Sequence, residues 1–112
     1  MPKILHLNAS PRGPHSSSQR LAEAFLAQVG AGAEVETVKL FDAAMPAFAQ
    51  AGAEGKLKVM AGMAPEDGEQ AVLDAAQPLI DQLKGADKVV VSTGMWNFSV
   101  PYPLKHYIDL VV

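Results

Sequence analysis

Val89, Val90 and Val91 form an unbroken β-branched run between Lys88 and Ser92, directly behind a segment with strong helical spacing. β-Branched side chains favour extended backbone. A run without polar alternation suits a strand covered on both faces, as in a parallel sheet. A parallel strand must be reached by a crossover, usually a helix, and Glu69 to Lys84 supplies one. In that segment Val72, Leu73, Ala76, Leu79, Ile80 and Leu83 share a face, and Gly85 is placed as the C′ residue. Pro78 lies inside it and predicts a kink or local irregularity. Strand and crossover helix together confine the chain to the α/β class.

The N-terminus repeats the unit. Ile4, Leu5 and Leu7 make Lys3 to Asn8 a short buried strand, which ends at Ala9-Ser10-Pro11-Arg12-Gly13-Pro14. Two prolines and a glycine in six residues can continue neither strand nor helix. Ser16 and Gln19 then have capping-box spacing, and Leu21, Phe25, Leu26 and Val29 continue as a helical face until Gly30 or Gly32. Glu34 to Leu40 reads as a second strand whose polar content suits an edge. Phe41 to Gly68 reads as a long connection with one short helix near Lys56 to Met63. After the third strand come a loop, Gly94 to Pro101, and a helix over Tyr102 to Val112 with Pro103 in its first turn. No repeat or second domain interrupts residues 1–112, and the length suits one core.

Composition narrows the function classes. The net charge of -3 and the lack of a Lys/Arg cluster argue against a nucleic-acid backbone as partner. A single phosphate monoester needs no basic face, because backbone N–H groups can hold it. The chain has no cysteine, which removes disulfides, thiolate metal sites and cysteine nucleophiles. His6, His15 and His106 fall on a strand, a loop and a helix without ligand spacing, so no metal site is expected and the histidines are read as solvent-facing or loosely packed. Ser99, His106 and Asp109 are hydrolase residue types, yet no nucleophile-elbow pattern surrounds a serine. No segment approaches the roughly 20 apolar residues of a membrane span. The N-terminus enters a strand directly, without a signal-peptide pattern, so a soluble cytoplasmic protein is expected.

Two loops carry candidate chemistry. The first, Ser10 to Ser18, places three consecutive serines at the opening of a helix. Hydroxyls, backbone donors and the positive end of the helix dipole converge there, and a phosphate is the natural occupant. Neither GxxxxGK[ST] nor GxGxxG is present, which argues against P-loop and dinucleotide-binding sites. Arg12 is read as a solvated loop residue. The second loop, Met95-Trp96-Asn97-Phe98, follows the third strand. Ligands of open α/β sheets bind beyond the carboxyl ends of the strands. Met, Trp and Phe offer polarisable apolar contact to a flat heterocycle, and Asn97 can hydrogen-bond its edge.

The pattern Ser10…His15-Ser16-Ser17-Ser18-Gln19, followed by Met95-Trp96-Asn97-Phe98-Ser99-Val100-Pro101 and Leu104-Lys105-His106-Tyr107-Ile108-Asp109, resembles the FMN-dependent NADH azoreductases of the flavodoxin-like NAD(P)H:quinone oxidoreductase family. The resemblance fades between Ala43 and Gly68. It implies a flavodoxin-like three-layer parallel sheet, with residues 1–112 as the N-terminal part of a single domain and strand order 2-1-3 within a 2-1-3-4-5 sheet. It implies that Ser10, Ser16, Ser17 and Ser18 hold the FMN phosphate, and that Met95, Trp96, Asn97 and Phe98 line the isoalloxazine. Trp96 stands where an azoreductase often has tyrosine, which keeps an aromatic wall. The implied activity is ping-pong electron transfer from NAD(P)H through FMN to an azo compound or quinone, in a homodimer. No side chain is assigned as catalytic acid or base, because the flavin carries the redox chemistry. Family members continue with two further strands and helices, including another flavin-contacting loop. Two alternatives therefore stand beside the enzyme: an inactive half-fold assembly fragment, and a flavodoxin-like electron carrier.

Overall fold

The computed structural model describes residues 2–12 and 15–112. Gly13 and Pro14, within the expected first loop, lie outside the described residues. Three strands, β1 (Lys3–Ala9), β2 (Glu34–Lys39) and β3 (Lys88–Thr93), pair in parallel in the order β2-β1-β3. The expected fold class and 2-1-3 order are both present. β1 is central because it is the strand that can be buried throughout: Ile4 to Ala9 are all buried, whereas β2 carries Glu34, Glu36 and Lys39 into solvent.

The side-chain alternation of β1 separates two layers. Leu5, Leu7 and Ala9 pack with Leu40 and with Leu104 and Tyr107 of α4 (Tyr102–Val111), while Leu79 and Leu83 of α3 (Asp67–Gly85) close over them. On the opposite side, Asn8 meets Gln19 of α1 (Ser17–Val29). Helices thus cover both faces of the sheet, the three-layer arrangement of α/β proteins.

Several local expectations change. The connection from Phe41 to Gly68 contains α2 (Ala49–Met60), which begins seven residues before the expected short helix. Its two internal glycines concealed it, and both are there for space. A Cβ on Gly52 would stand 2.7 Å from the Phe48 ring, and one on Gly55 would lie 3.2 Å from Cβ of Glu69. Lys58 reaches from α2 to Glu69 of α3 at 2.7 Å. That bond, with the Glu66 N–H, holds the Glu69 carboxyl below its ordinary pKa. α3 runs through Pro78, as read from sequence, and ends at Gly85. Gly85 is the last helical residue rather than C′, and extended Ala86 is the cap.

β3 also departs from its reading as a strand covered on both faces. Among the described residues it pairs along one edge only, and Val89 and Val91 are 44% and 46% exposed. Their register with Leu5 and Leu7 puts them on the α3/α4 side of the sheet. The described helices do not reach far enough to cover them.

Candidate functional site

Because all three strands are parallel, the segments after Ala9, Lys39 and Thr93 emerge at one edge of the sheet. Both loops singled out from sequence lie there, and they line one cleft. Ser10, Pro11, Arg12 and Ser16 to Ser18 form one wall, and Gly94, Met95 and Trp96 the other, around about 370 Å³. A volume of this order suits a small-molecule ligand.

The serine wall is built as an anion cradle. Ser16 is the N-cap of α1, in extended conformation, and its Oγ accepts from the Gln19 N–H at 3.2 Å. Ser16 Oγ and Ser18 Oγ lie 2.9 Å apart. The first amides of a helix have no intrahelical acceptor, and no acidic residue occupies the first turn of α1 to compete for its positive end. Only half of the expected capping box forms: the Gln19 side chain bonds Asn8 and Glu23 instead of returning to Ser16.

The opposite wall is shaped by a tight turn. Trp96 and Ser99 exchange backbone hydrogen bonds of 2.7 and 3.0 Å, leaving Asn97 and Phe98 with φ of 51° and 66°. Positive φ at both central positions is the type I′ arrangement, in which Asn and Gly are favoured. The turn divides the four candidate ring residues. Met95 and Trp96 face the serine cleft, Asn97 lines a groove beyond Trp96, and Phe98 is 94% exposed and lines neither. The indole of Trp96 rests 6.1 Å from the Phe41 ring, which in turn meets Tyr102 edge-on at 6.2 Å. The groove beyond Trp96 encloses about 800 Å³, with Phe41, Phe48, Trp96 and Tyr102 among its walls.

Asn8 and Phe41 are the residues the sequence reading passed over, and Gln19, read there as a capping-box partner, bonds Asn8 instead. Phe41 follows the end of β2, so the carboxyl-end rule applied to β1 and β3 would have found it. Asn8 is a buried amide within an otherwise apolar strand end, a signal in itself. Of the three histidines, His6 alone departs from the solvent-facing or loosely packed expectation. His6 is buried, with Nε2 2.8 Å from Ser92 Oγ, and burial lowers its pKa. His106 Nε2 contacts the Pro46 carbonyl at 2.8 Å, and His15 is exposed. Asp109 pairs with Lys105 at 2.6 Å. Among the described residues no cluster of three His, Cys, Asp or Glu could hold a metal, and no helix is long and apolar enough to cross a membrane.

Comparison with known proteins converges on the same architecture. The family described as flavodoxin-like fold matches residues 2–112. An FMN-dependent NADH:quinone oxidoreductase 2 of Burkholderia lata is 36% identical over 97% of this chain and 54% of its own length. An FMN-dependent NADH:quinone oxidoreductase 3 of Pseudomonas fluorescens is 37% identical over 99% of this chain and 53% of its own. The crystal structure of an azoreductase from Bacillus anthracis superposes with a TM-score of 0.83 at 28% identity, covering all of this chain and 56% of that one. An FMN-dependent NADH-azoreductase of the same species, solved in complex with FMN, gives 0.79 at 25% identity. The chain spans about half the length of the curated relatives it matches. With the 2-1-3 sheet, both loops at its carboxyl edge and a family match over nearly every residue, the chain belongs to the flavodoxin-like fold family.

Proposed function

We propose that residues 1–112 are the N-terminal, cofactor-binding part of a single flavodoxin-like domain in an FMN-dependent oxidoreductase, which takes electrons from NAD(P)H and passes them to quinones or azo compounds. The observation that carries this reading is the single cleft between the serine cradle and the Met95–Trp96 wall. A cradle of hydroxyls and helix amides suits a phosphate monoester, and a thioether with an indole opposite suits a flat ring. Ser10, Ser16, Ser17 and Ser18 would hold the phosphate, and Met95 and Trp96 would flank the isoalloxazine. Asn97, which lines the groove beyond Trp96, and Phe98, exposed on the turn, are given no place in that wall. Bound FMN supplies the hydride and electron chemistry.

The protein's own part is to bind and orient. Among the described residues the side chains lining the cleft are hydroxyls, a thioether, an indole, a proline and one guanidinium. No acid or base is assigned among them. The groove on the far side of Trp96 offers a planar acceptor aromatic walls, a feature that favours an enzyme over a pure electron carrier. A homodimer and a cytoplasmic location, where NAD(P)H is supplied, belong to the same reading.

The test is titration with FMN and riboflavin, which share the ring and differ in the phosphate. FMN should bind more tightly. Replacing Ser16, Ser17 and Ser18 together by Ala should weaken FMN at least about tenfold, since hydrogen bonds to a charged group are worth about 1.5–3 kcal/mol each. Riboflavin should change much less. Equal losses for the two ligands would overturn the phosphate assignment. NADH added anaerobically to the FMN-loaded protein should bleach the oxidised-flavin absorbance.

A further inference from the structure

We propose that Asn8 is a positioning residue that holds the two ends of the Ser10 to Ser18 loop at a fixed separation, and so sets its preference for a phosphorylated ligand. The proposal rests on the phosphate reading above and deepens it.

Asn8 sits near the end of the central strand, 4% exposed. Its backbone is locked on both sides, in register with Lys39 of β2 and Ser92 of β3, and its carbonyl accepts from the Leu40 N–H at 2.9 Å. The strand therefore gains nothing from the amide side chain. Both ends of that side chain are spent on the loop. Oδ1 accepts from the Ser10 N–H at 3.0 Å, where the chain enters the loop. Nδ2 donates to Gln19 Oε1 at 3.0 Å, where the chain leaves it. Gln19 is itself tied to the cradle, because its backbone N–H donates to Ser16 Oγ.

The polarity of this chain is forced. A backbone N–H can only donate, so Ser10 must face Oδ1 and leave Nδ2 for Gln19. Gln19 then presents Oε1 to Asn8 and has Nε2 left, which donates to Glu23 at 2.9 Å. Each donor points the same way, from the loop amide to the Glu23 carboxylate. α1 is already capped by Ser16, and β1 is already paired. A buried amide is costly unless both of its ends are paired. An aliphatic residue would serve a plain strand end as well. Asn8 is explained by the loop it clamps.

The test uses the full 112-residue chain with FMN and riboflavin as probes and reads the ratio of their affinities, a quantity that general loss of stability does not select for. Asn8→Ala should lower the FMN preference by about two- to tenfold. Gln19→Met, which keeps the backbone bond to Ser16 and sits on a partly exposed helix surface, should lower it by a similar factor. Because each removes the same link, the double variant should lose no more than the worse single one. Should Asn8→Ala fail to fold, Gln19→Met alone decides. An unchanged ratio in the singles, with FMN still preferred by the parent chain, would overturn the clamp and leave the phosphate reading standing. Losses that multiply in the double variant would also overturn it. If the parent chain shows no preference for FMN over riboflavin, the phosphate reading falls and the clamp with it.

Discussion

Trp96 and Ser99 close a two-residue turn through a reciprocal pair of backbone hydrogen bonds, and this forces Phe98 to a φ of 66°. Asparagine tolerates the left-handed region, as Asn97 does here, but a bulky aromatic there is an outlier costing about 1–3 kcal/mol. Nothing in the described packing compensates, since the side chain is 94% exposed. Phe98→Gly should therefore raise the stability of the flavin-free chain by about 1 kcal/mol, after the glycine's own unfolded-state entropy is subtracted. If the ring is retained to meet the flavin, riboflavin affinity should fall in the same variant. A thermal melt and a riboflavin titration check the two halves. A variant no more stable than the parent would show that the turn stores no strain at Phe98.

Trp96 is the only tryptophan in the chain, so its emission reports directly on the ring wall. Flavin bound in the cleft should quench it. Trp96→Ala should depress acceptor turnover in a relative-length protein more than it changes the FMN-to-riboflavin ratio, because the indole stands on the cleft wall opposite the serine hydroxyls. Phe41→Ala removes the ring that props the indole at 6.1 Å, and should shift Trp96 emission to the red. Unchanged emission in Phe41→Ala, with turnover intact in Trp96→Ala, would leave Trp96 as loop packing only.

The buried His6 gives the fold a pH dependence of definite sign. Burial lowers its pKa from the ordinary 6.5, and the Glu23 carboxylate opposes this more weakly. A histidine with a depressed folded pKa takes up its proton more readily in the unfolded chain. Its contribution is therefore constant above about pH 6.5 and is lost as pH falls below that value towards the folded pKa. Denaturant midpoints measured from neutrality down to about pH 5 should fall for the parent chain. In His6→Gln, which can still reach Ser92, that part of the slope should vanish. An identical slope in both proteins would assign the acid sensitivity to other groups.

Much of this was legible in sequence where one local rule acted alone. The apolar run Ile4, Leu5, Leu7, the punctuation at Pro11 and the Ser16 cap are each set by neighbours along the chain, and they appear in the structure within a residue or so. α2 was obscured because Gly52 and Gly55 answer to Phe48 and Glu69, contacts invisible to periodicity. His6 reads as a polar residue in a strand until β3 brings Ser92 beside it, 86 positions away. At the site, residue types identified the two loops. The Trp96–Ser99 turn decides which members of the second loop face the first, and that depends on backbone dihedrals at Asn97 and Phe98 that no residue type announces.

The two outer strands of the sheet differ in a way that predicts association. β2 reads Glu-Val-Glu-Thr-Val-Lys, and its charges blunt the edge against further pairing. β3 reads Lys-Val-Val-Val-Ser-Thr, with its outer side unpaired among the described residues and Val89 and Val91 nearly half exposed beside it. Unpaired N–H and C=O groups along an apolar strand form a template for another strand. A second copy presents the same edge, and two β3 strands pairing across a two-fold axis would cover both. The 112-residue chain should therefore self-associate at micromolar concentration, with protected amides over Val89 to Val91. Val89→Lys, which places a charge on the half-exposed face beside the unpaired edge, should shift it towards monomer without loss of helix content. Size-exclusion chromatography with light scattering gives the mass, and hydrogen exchange the protection. A compact monomer that melts cooperatively while those amides exchange freely would show that this edge stays unpaired.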